Sequence, residues 1–192
     1  MSPGPALIVV DVQRGFADPA WGRRNNPGFE ANLGRLLKAW HDRDWPLVYV
    51  RHDSTTPGSP LAPDAPGNAL NGELLAPEPD LVISKSVNSA FYGTPSLEDW
   101  VKERGIETVV IAGIQTNHCA ETTARMAGNL GYRMLFAIDA THTFDREGPD
   151  GGTVSAEDLA RATAANLHGE FGEVLTTERL LAAAGNGELA RL

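Results

Sequence analysis

Residues 108–123 read TVVIAGIQTNHCAETT, and this stretch decides the fold and points to the chemistry. Its first part, residues 108–112, is a run of β-branched and apolar side chains that is typical of a buried strand. Residues 120–130 then show the pattern of a helix, which Gly131 ends. The chain's only cysteine, Cys119, lies between the two. The stretch therefore predicts a strand, a turn that carries a thiol, and a helix.

The thiol of Cys119 admits two interpretations. A free cysteine is most often a buried residue with a structural role. A thiol at the start of a helix instead faces the positive end of the helix dipole, which lowers the pKa of the thiol and favours the nucleophilic thiolate. The position shortly after a strand favours this second interpretation, so we expect Cys119 to be reactive.

The composition indicates one globular domain over residues 1–192, with its core over residues 5–184. Hydrophobic residues make up 42% of the chain, the formal net charge is −9 and the pI is about 5.0. The acidic balance and the lack of a basic run argue against a nucleic-acid partner and an anionic membrane surface. One cysteine allows no internal disulfide, and no signal peptide or membrane-spanning stretch is visible, so we expect a cytoplasmic protein.

Strands alternate with helices along the whole chain. Five further strands are predicted, at residues 6–10, 46–50, 81–83, 132–138 and 172–175. Four further helices are predicted, at residues 29–42, 97–104 and 155–168 and from residue 177 onward. Polar segments at residues 54–79 and 141–152 are predicted as long loops. The alternation predicts an α/β fold in which a parallel sheet is covered on both faces.

Three reactive residues follow predicted strands: Asp11 the first, Lys85 the third and Cys119 the fourth. Open parallel sheets bind ligands beyond the carboxyl ends of their strands, where the strand order reverses. If the sheet reverses between the first and fourth strands, Asp11 and Cys119 lie side by side. Taken singly, an aspartate at a strand end is usually a cap and a lysine a solvated charge. Together they form a set in which the carboxylate accepts the thiol proton, the ammonium stabilises negative charge and sulfur attacks an electrophilic carbon.

The same residues carry a resemblance to a known family. The motifs VVDVQ at residues 9–13, Lys85 with SAF at 89–91, and GIQTNHC at 113–119 with TTAR at 122–125 resemble the isochorismatase-like cysteine hydrolase family. Asp139-Ala140 and residues 170–174 also match, so the likeness covers about residues 5–184. The resemblance implies a Rossmann-like three-layer α/β/α sandwich with a six-stranded parallel sheet.

The resemblance also implies a catalytic mechanism. Asp11, Lys85 and Cys119 match the family's catalytic triad. A non-proline cis peptide would join Ile114 to Gln115, and the backbone N–H groups of Gln115 and Cys119 would form the oxyanion hole. Members hydrolyse small amides, carbamoyl compounds or lactams, and many are homodimers or homotetramers, so a small-molecule substrate and further copies of this chain are the partners expected.

This sequence differs from two groups within the family, and each difference restricts the activity that the resemblance implies. Nicotinamidases of the family bind a metal through an Asp-x-His motif and a further histidine after the second strand, whereas residues 51–56 here read RHDSTT. We therefore predict no catalytic metal and no other cofactor. True isochorismatases commonly lack the cysteine, because cleavage of a vinyl ether needs no thiol, so Cys119 favours hydrolysis of a C–N bond.

Six further residues are candidates for substrate contact. The aromatic side chains Phe16, Trp21, Phe91 and Tyr92 follow strand ends and could wall a pocket for a flat ring, or could serve loop packing or a subunit interface. His52 comes at the end of the second strand and is assigned as substrate-binding, the alternative being a loop histidine with satisfied hydrogen bonds. Gln13 is also assigned as substrate-binding, the alternative being a hydrogen bond to the oxyanion region. His118 precedes the nucleophile, but adjacent helix positions point in different directions, which argues against a role as the base.

Three alternative functions stay open at this point. The chain could be a vinyl-ether hydrolase that uses Asp11, a non-catalytic protein that binds a small ligand, or a scaffold that has lost its substrate. Nucleotide binding has no support, because no Gly-x-Gly-x-x-Gly motif follows the first strand.

Overall fold

The protein is described here from a computed structural model of residues 4–189. Six parallel strands form one sheet in the order β3-β2-β1-β4-β5-β8. The sheet strands are β1 (Ala6–Val10), β2 (Leu47–His52), β3 (Leu81–Lys85), β4 (Thr108–Ile114), β5 (Arg133–His142) and β8 (Glu173–Leu175). A short antiparallel hairpin is formed by β6 (Arg146–Glu147) and β7 (Thr153–Val154). The strand order reverses between β1 and β4, which meets the condition under which Asp11 and Cys119 are expected side by side.

Helices cover both faces of the sheet and complete three layers. They are α1 (Phe29–His41), α2 (Leu97–Glu103), α3 (Glu121–Asn129), α4 (Ala156–Leu167) and α5 (Thr177–Gly185). Successive side chains of a strand point to opposite faces, so Leu7 and Val9 pack with α1 and α5, while Ile8 and Val10 pack with α2, α3 and α4. Both faces of β1 and β4 are therefore buried, which explains their unbroken apolar sequences. The predicted three-layer sandwich is confirmed.

Helix α1 packs on the sheet through a stripe of apolar side chains. In α1 the buried side chains recur at three- and four-residue spacing, which places them on one stripe: Phe29, Leu33, Leu36, Leu37 and Trp40. The indole N–H of Trp40 also donates to the Pro5 carbonyl oxygen over 2.8 Å. Among residues 4–189, no helix has both the length and the apolar character that crossing a bilayer requires.

Glycine is required where β4 passes β1 at the reversal point. Gly113 has a φ of +119°, and a Cβ atom there would overlap the backbone of Val10. Only glycine adopts this conformation without strain and also allows the two strands to approach closely. Gly113 thereby fixes the position of the turn that follows it and carries Cys119.

The strands β2, β3 and β4 each end two residues later than predicted, at His52, Lys85 and Ile114. The largest difference concerns β5 and the loop predicted after it. The strand predicted at residues 132–138 continues to His142, because an irregularity shifts the register: Ile111 pairs with Phe136, whereas Gly113 pairs with Thr141. The predicted loop at residues 141–152 therefore contains the end of β5 and the first strand of the hairpin. Its polar side chains conceal these strands from an analysis based on apolar runs.

Candidate active site

Asp11 directly follows β1 at the reversal point of the sheet. Its φ of +52° lies in the left-handed region, which aspartate tolerates better than most residues. The backbone N–H donates to the Val50 carbonyl oxygen over 2.9 Å, which holds the turn against β2. The side chain is wholly buried, and its Oδ1 atom has no hydrogen-bond partner within residues 4–189.

Lys85 is the last residue of β3, and its side chain extends past the end of β2 to reach Asp11. The ammonium Nζ donates to Asp11 Oδ2 over 2.7 Å, and both side chains are completely excluded from solvent. Nζ also lies 3.2 Å from Nδ1 of His52, the residue that pairs with Lys85 across the two strands. Because an ammonium can only donate, we assign Nδ1 as the acceptor and place the imidazole proton on Nε2.

Cys119 lies in a wide helical turn, Thr116–Ala120, that leads into α3. Its Sγ atom, one carboxylate oxygen of Asp11 and one ring nitrogen of His52 all lie within 4.8 Å of one another. The thiol also interacts with the Lys85 ammonium. The structure thus brings Asp11, Lys85 and Cys119 together at one edge of the sheet. Asp11 is the carboxylate beside this thiol and therefore the candidate to accept its proton.

The electrostatics of this cluster correct one prediction. Burial and the Asp11 carboxylate raise the pKa of the Cys119 thiol to about 12, and Lys85 offsets only part of that effect. The prediction of a thiol acidified by the helix dipole is therefore wrong, because sulfur lies beside a carboxylate in a site sheltered from water. Burial also raises the pKa of Asp11 against the opposing effect of Lys85. A carboxylate of raised pKa is a stronger base, which reduces the cost of taking the thiol proton.

Backbone hydrogen bonds hold the turn before Cys119. Its peptide bond between Ile114 and Gln115 is cis, as the family resemblance implies. The Gln115 carbonyl oxygen accepts from the N–H groups of His118 and Ala120 at 3.1 and 3.3 Å.

Two hydroxyl groups of β5 and the segment after it support the same turn. Thr116 Oγ1 donates to Thr141 Oγ1 over 2.8 Å, and Thr141 Oγ1 donates to the Ile138 carbonyl oxygen over 2.9 Å. Thr143 Oγ1 donates to Asn117 Oδ1 over 2.5 Å. Sequence analysis missed these supports because Thr141 and Thr143 lie in a segment predicted as loop.

A cavity of about 440 Å³ opens beside the Cys119 sulfur. Three of the predicted substrate-binding residues, Phe16, Trp21 and His52, line it. The rings of Phe16 and Trp21 pack with their centroids 5.0 Å apart and form an apolar wall. Burial, and then the charge of Lys85, lower the pKa of His52, so its imidazole is neutral near pH 7.

The other three predicted substrate-binding residues do not line the cavity. Gln13 Nε2 donates to the carbonyl oxygens of His52 and Asn68 at 3.0 and 2.8 Å, and its Oε1 accepts from the His52 N–H. Its amide is thus committed to holding β2 and the long loop. Phe91 stacks on Tyr132 with the centroids 5.9 Å apart, and Tyr92 points outward with 70% of its surface exposed.

Several cavity residues were not predicted from the sequence. The rest of the wall comprises Ser54, the segment 56–61, Asn88, His118 and Arg146, besides Asp11, Gln115 and Cys119. The length of the loop at residues 54–79 was the one available signal for the first segment. Burial, and then the charge of Arg146, lower the pKa of His118. Arg146 belongs to the hairpin, and no pattern in the sequence marks it.

One group of donors in the described part of the chain has metal-ligand spacing, and it is the cluster of Asp11, His52 and Cys119. Its atoms fit a metal poorly, because the Lys85 ammonium already engages Asp11 Oδ2 and His52 Nδ1. Asp53, the acidic residue next to His52, instead accepts from Arg51 Nε and Asn68 Nδ2, each over 3.0 Å. The absence of a catalytic metal stays a prediction.

Comparisons with known proteins identify the family to which the chain belongs. The isochorismatase domain family matches residues 5–179. The isochorismatase family protein YrdC of Bacillus subtilis is 39% identical over 181 residues, covering 94% of this chain and 96% of YrdC. The ureidoacrylate amidohydrolase RutB of Methylobacterium radiotolerans is 33% identical over 208 residues, covering 88% of this chain and 74% of RutB. The crystal structure of an isochorismatase-family protein from Chromobacterium violaceum matches with a TM-score of 0.88 and 41% identity, covering 95% of this chain and 94% of that one.

Proposed function

Because this chain belongs to the isochorismatase family, whose members are hydrolases, we propose that it is a metal-independent cysteine hydrolase of small molecules. The bond cleaved is the C–N bond of an amide, a carbamoyl compound or a lactam. The observation that carries the proposal is a buried cluster in which the Cys119 sulfur lies within 4.8 Å of a carboxylate oxygen of Asp11, whose Oδ1 atom has no hydrogen-bond partner among residues 4–189. A purely structural cysteine would need neither a carboxylate nor an ammonium at this place.

The first half-reaction forms an acyl-enzyme. Asp11 Oδ1 accepts the Sγ proton as sulfur attacks the carbonyl carbon, and the carbonyl electrons move to oxygen. The backbone N–H groups of Gln115 and Cys119 bind that oxyanion. When the intermediate collapses, Asp11 returns the proton to the leaving nitrogen, the C–N bond breaks and a thioester to Cys119 remains.

The second half-reaction uses water. Asp11 accepts a proton from the water molecule whose oxygen attacks the thioester carbon, and the same N–H groups bind the new oxyanion. The C–S bond then breaks, and the thiolate recovers its proton from Asp11, which releases the acid product. Lys85 stays charged throughout and compensates the negative charge that passes between Asp11 and sulfur.

The name of one relative supports the amide class. RutB is a ureidoacrylate amidohydrolase, which cleaves a C–N bond. The cavity of about 440 Å³ suits a compound of small size rather than a polymer.

The decisive experiment combines turnover with intact-protein mass spectrometry. A panel of small amides, carbamoyl compounds and lactams is screened for released ammonia or a newly formed carboxylate. Hydrolysis by the native protein should be lost by at least about 10³-fold in Cys119→Ala, the scale seen when a catalytic nucleophile is removed. An acyl adduct on Cys119 should appear when the reaction is quenched early.

The same variant tests the main alternative. A vinyl-ether hydrolase that relies on Asp11 should keep most of its activity in Cys119→Ala and lose it in Asp11→Asn. If a turned-over substrate shows full activity without the thiol, covalent catalysis by Cys119 is wrong.

A further inference from the structure

Arg146 is the charged residue of the cavity wall that the proposed reaction does not use. It lies in β6, pairs with Val154 across the hairpin and is exposed. Within residues 4–189, its guanidinium takes part in no salt bridge and no side-chain hydrogen bond, in contrast to Arg23, Arg24, Arg51 and Arg125. An arginine kept unpaired on the wall of a cavity presents five donors to whatever enters.

The hairpin that carries Arg146 is anchored at its base. The neighbouring Asp145 accepts from Arg23 Nε and Nη2 at 2.9 and 2.7 Å, and from the Ala156 N–H at 2.8 Å. The Asp145 N–H donates to the Arg23 carbonyl oxygen over 2.9 Å. These contacts fix the start of β6 beside the cavity. Arg146, His118 and Cys119 line the same cavity, and the charge of Arg146 contributes, after burial, to the lowered pKa of His118.

Other charges near the cavity are already balanced. Asp11 and Lys85 balance each other in a buried salt bridge, in which Nζ lies 2.7 Å from Oδ2. Asp53 is paired with Arg51 over 3.0 Å. Glu147, the next residue of β6, does not line the cavity. Arg146 therefore gives the cavity a local positive charge, although the whole chain carries a net charge of −9.

We infer that Arg146 binds an anionic group of the substrate, so that the substrates are small amides or carbamoyl compounds that also carry a carboxylate. A guanidinium matches a carboxylate through two parallel N–H donors, which adds orientation to charge attraction. The apolar wall of Phe16 and Trp21 then contacts the carbon chain between the carboxylate and the scissile bond. This inference rests on the proposed function, because it assumes that Cys119 is the point of attack.

The test uses two thiol reagents that differ in charge. N-ethylmaleimide is neutral, and 3-maleimidopropionate carries a carboxylate on the same reactive ring. The rate at which each modifies Cys119 is measured by intact-protein mass spectrometry at low ionic strength, and 2-mercaptoethanol serves as the reference thiol. The quantity compared is the ratio of the anionic to the neutral rate, which cancels differences in the reactivity of the thiol itself.

The native protein should show a ratio about fivefold above that of the reference thiol, the scale of a partly exposed ion pair. The ratio should fall to the reference value in Arg146→Gln and stay higher in Arg146→Lys. It should also decrease in the native protein at 0.5 M salt, where the Debye length is about 4 Å, against about 30 Å at 0.01 M. Arg133→Gln is the matched control, since Arg133 is exposed at the start of β5, away from the cavity. It removes the same charge and should keep the native ratio.

The outcomes separate this inference from the proposed function. A native ratio equal to the reference, or a raised ratio that survives in Arg146→Gln, overturns the binding of anions by Arg146 and leaves the nucleophile untouched. If neither reagent modifies Cys119 even at pH 9, where the thiolate fraction is about a hundredfold higher than at pH 7, the sulfur is not accessible from the cavity, and the proposed function falls together with this inference.

Discussion

The ammonium of Lys85 lies 2.7 Å from Asp11 Oδ2, in a place where both side chains are completely buried. A charge moved out of water costs several kcal/mol unless a partner compensates it, and each of these residues is the other's partner. The pair comes from β1 and β3, which are separated in the sheet by β2. Stability and the proposed chemistry therefore depend on the same contact.

Replacing Lys85 by methionine should destabilise the protein by about 3–5 kcal/mol at pH 7, because it leaves the Asp11 carboxylate buried without a partner. Asp11 in this variant would have a folded-state pKa well above its unfolded value, so the folded state would bind more protons. The loss of stability should therefore shrink as the pH falls through that range. Urea unfolding at several pH values measures it, and the double variant Asp11→Leu/Lys85→Met should recover much of the loss. A single variant as stable as the native protein would contradict this account.

The rate at which the Cys119 thiol is alkylated should show no titration step at acidic pH. Because its pKa is raised to about 12, the thiolate fraction should grow tenfold per pH unit between pH 7 and 9. The rate of alkylation by iodoacetamide should follow that rise without reaching a plateau. Hydrolysis should not follow it, since Asp11 accepts the proton during attack. A plateau in alkylation below pH 7 would instead indicate a preformed thiolate stabilised by Lys85.

His142 should lower the free energy of unfolding in mild acid. It is buried between Phe29 and Phe144, its Nδ1 atom is unpartnered within residues 4–189, and burial lowers its pKa to about 4. Below the unfolded value near 6.5 the unfolded chain gains a proton that the folded protein does not, so stability falls from pH 6.5 to pH 4. At pH 5 this contribution is about 2 kcal/mol.

The variant His142→Phe keeps an aromatic ring in place and removes the titration. It should be more stable than the native protein at pH 5 by about 2 kcal/mol, with a smaller difference at pH 7. Chemical unfolding at both pH values provides the comparison. An equal difference at the two pH values would show that packing, and not protonation, causes it.

Gly113 should tolerate no side chain. Alanine at this position would overlap the Val10 backbone and force a positive φ, so we expect a loss of at least about 3 kcal/mol or a failure to fold. Gly34→Ala is the matched control, because Gly34 is an exposed residue in α1 with open space around it. That change should raise stability by about 0.5–1 kcal/mol. Thermal unfolding of the two variants distinguishes a steric cause from a general sensitivity to mutation.

The sequence predicts the parts of this fold that rest on apolar runs. The strand at residues 6–10 and the helix start at Phe29 agree with the structure, because buried strands and amphipathic helices have distinct periods. The end of β5 escaped prediction, since Thr141 and His142 are polar and join the sheet only through a shift in register. The dimer or tetramer and the cytoplasmic location stay predictions.

The candidate site, like the fold, could be predicted from the sequence only in part. Asp11, Lys85 and Cys119 could be placed because parallel strands end at one edge of a sheet. The cavity wall could not, since the directions of loop side chains depend on contacts distant in sequence. In the sequence, Phe91 and Tyr92 are as good candidates for the cavity wall as Phe16 and Trp21. The structure separates the two pairs, because Phe91 packs on Tyr132 and Tyr92 points outward. The acidity of Cys119 was misjudged because its carboxylate neighbour is 108 positions away in the chain.

Lys85 comes from β3, which lies at the border of the sheet and pairs with β2 on one side. On its other side one bridge, between Ser84 and Thr94, holds it among the described residues. Border strands open more readily than central ones, at a free energy below that of complete unfolding. Detachment of this strand withdraws the ammonium while β1 and β4 stay paired. On heating, catalytic activity should therefore be lost at a lower temperature than that at which the rest of the molecule unfolds.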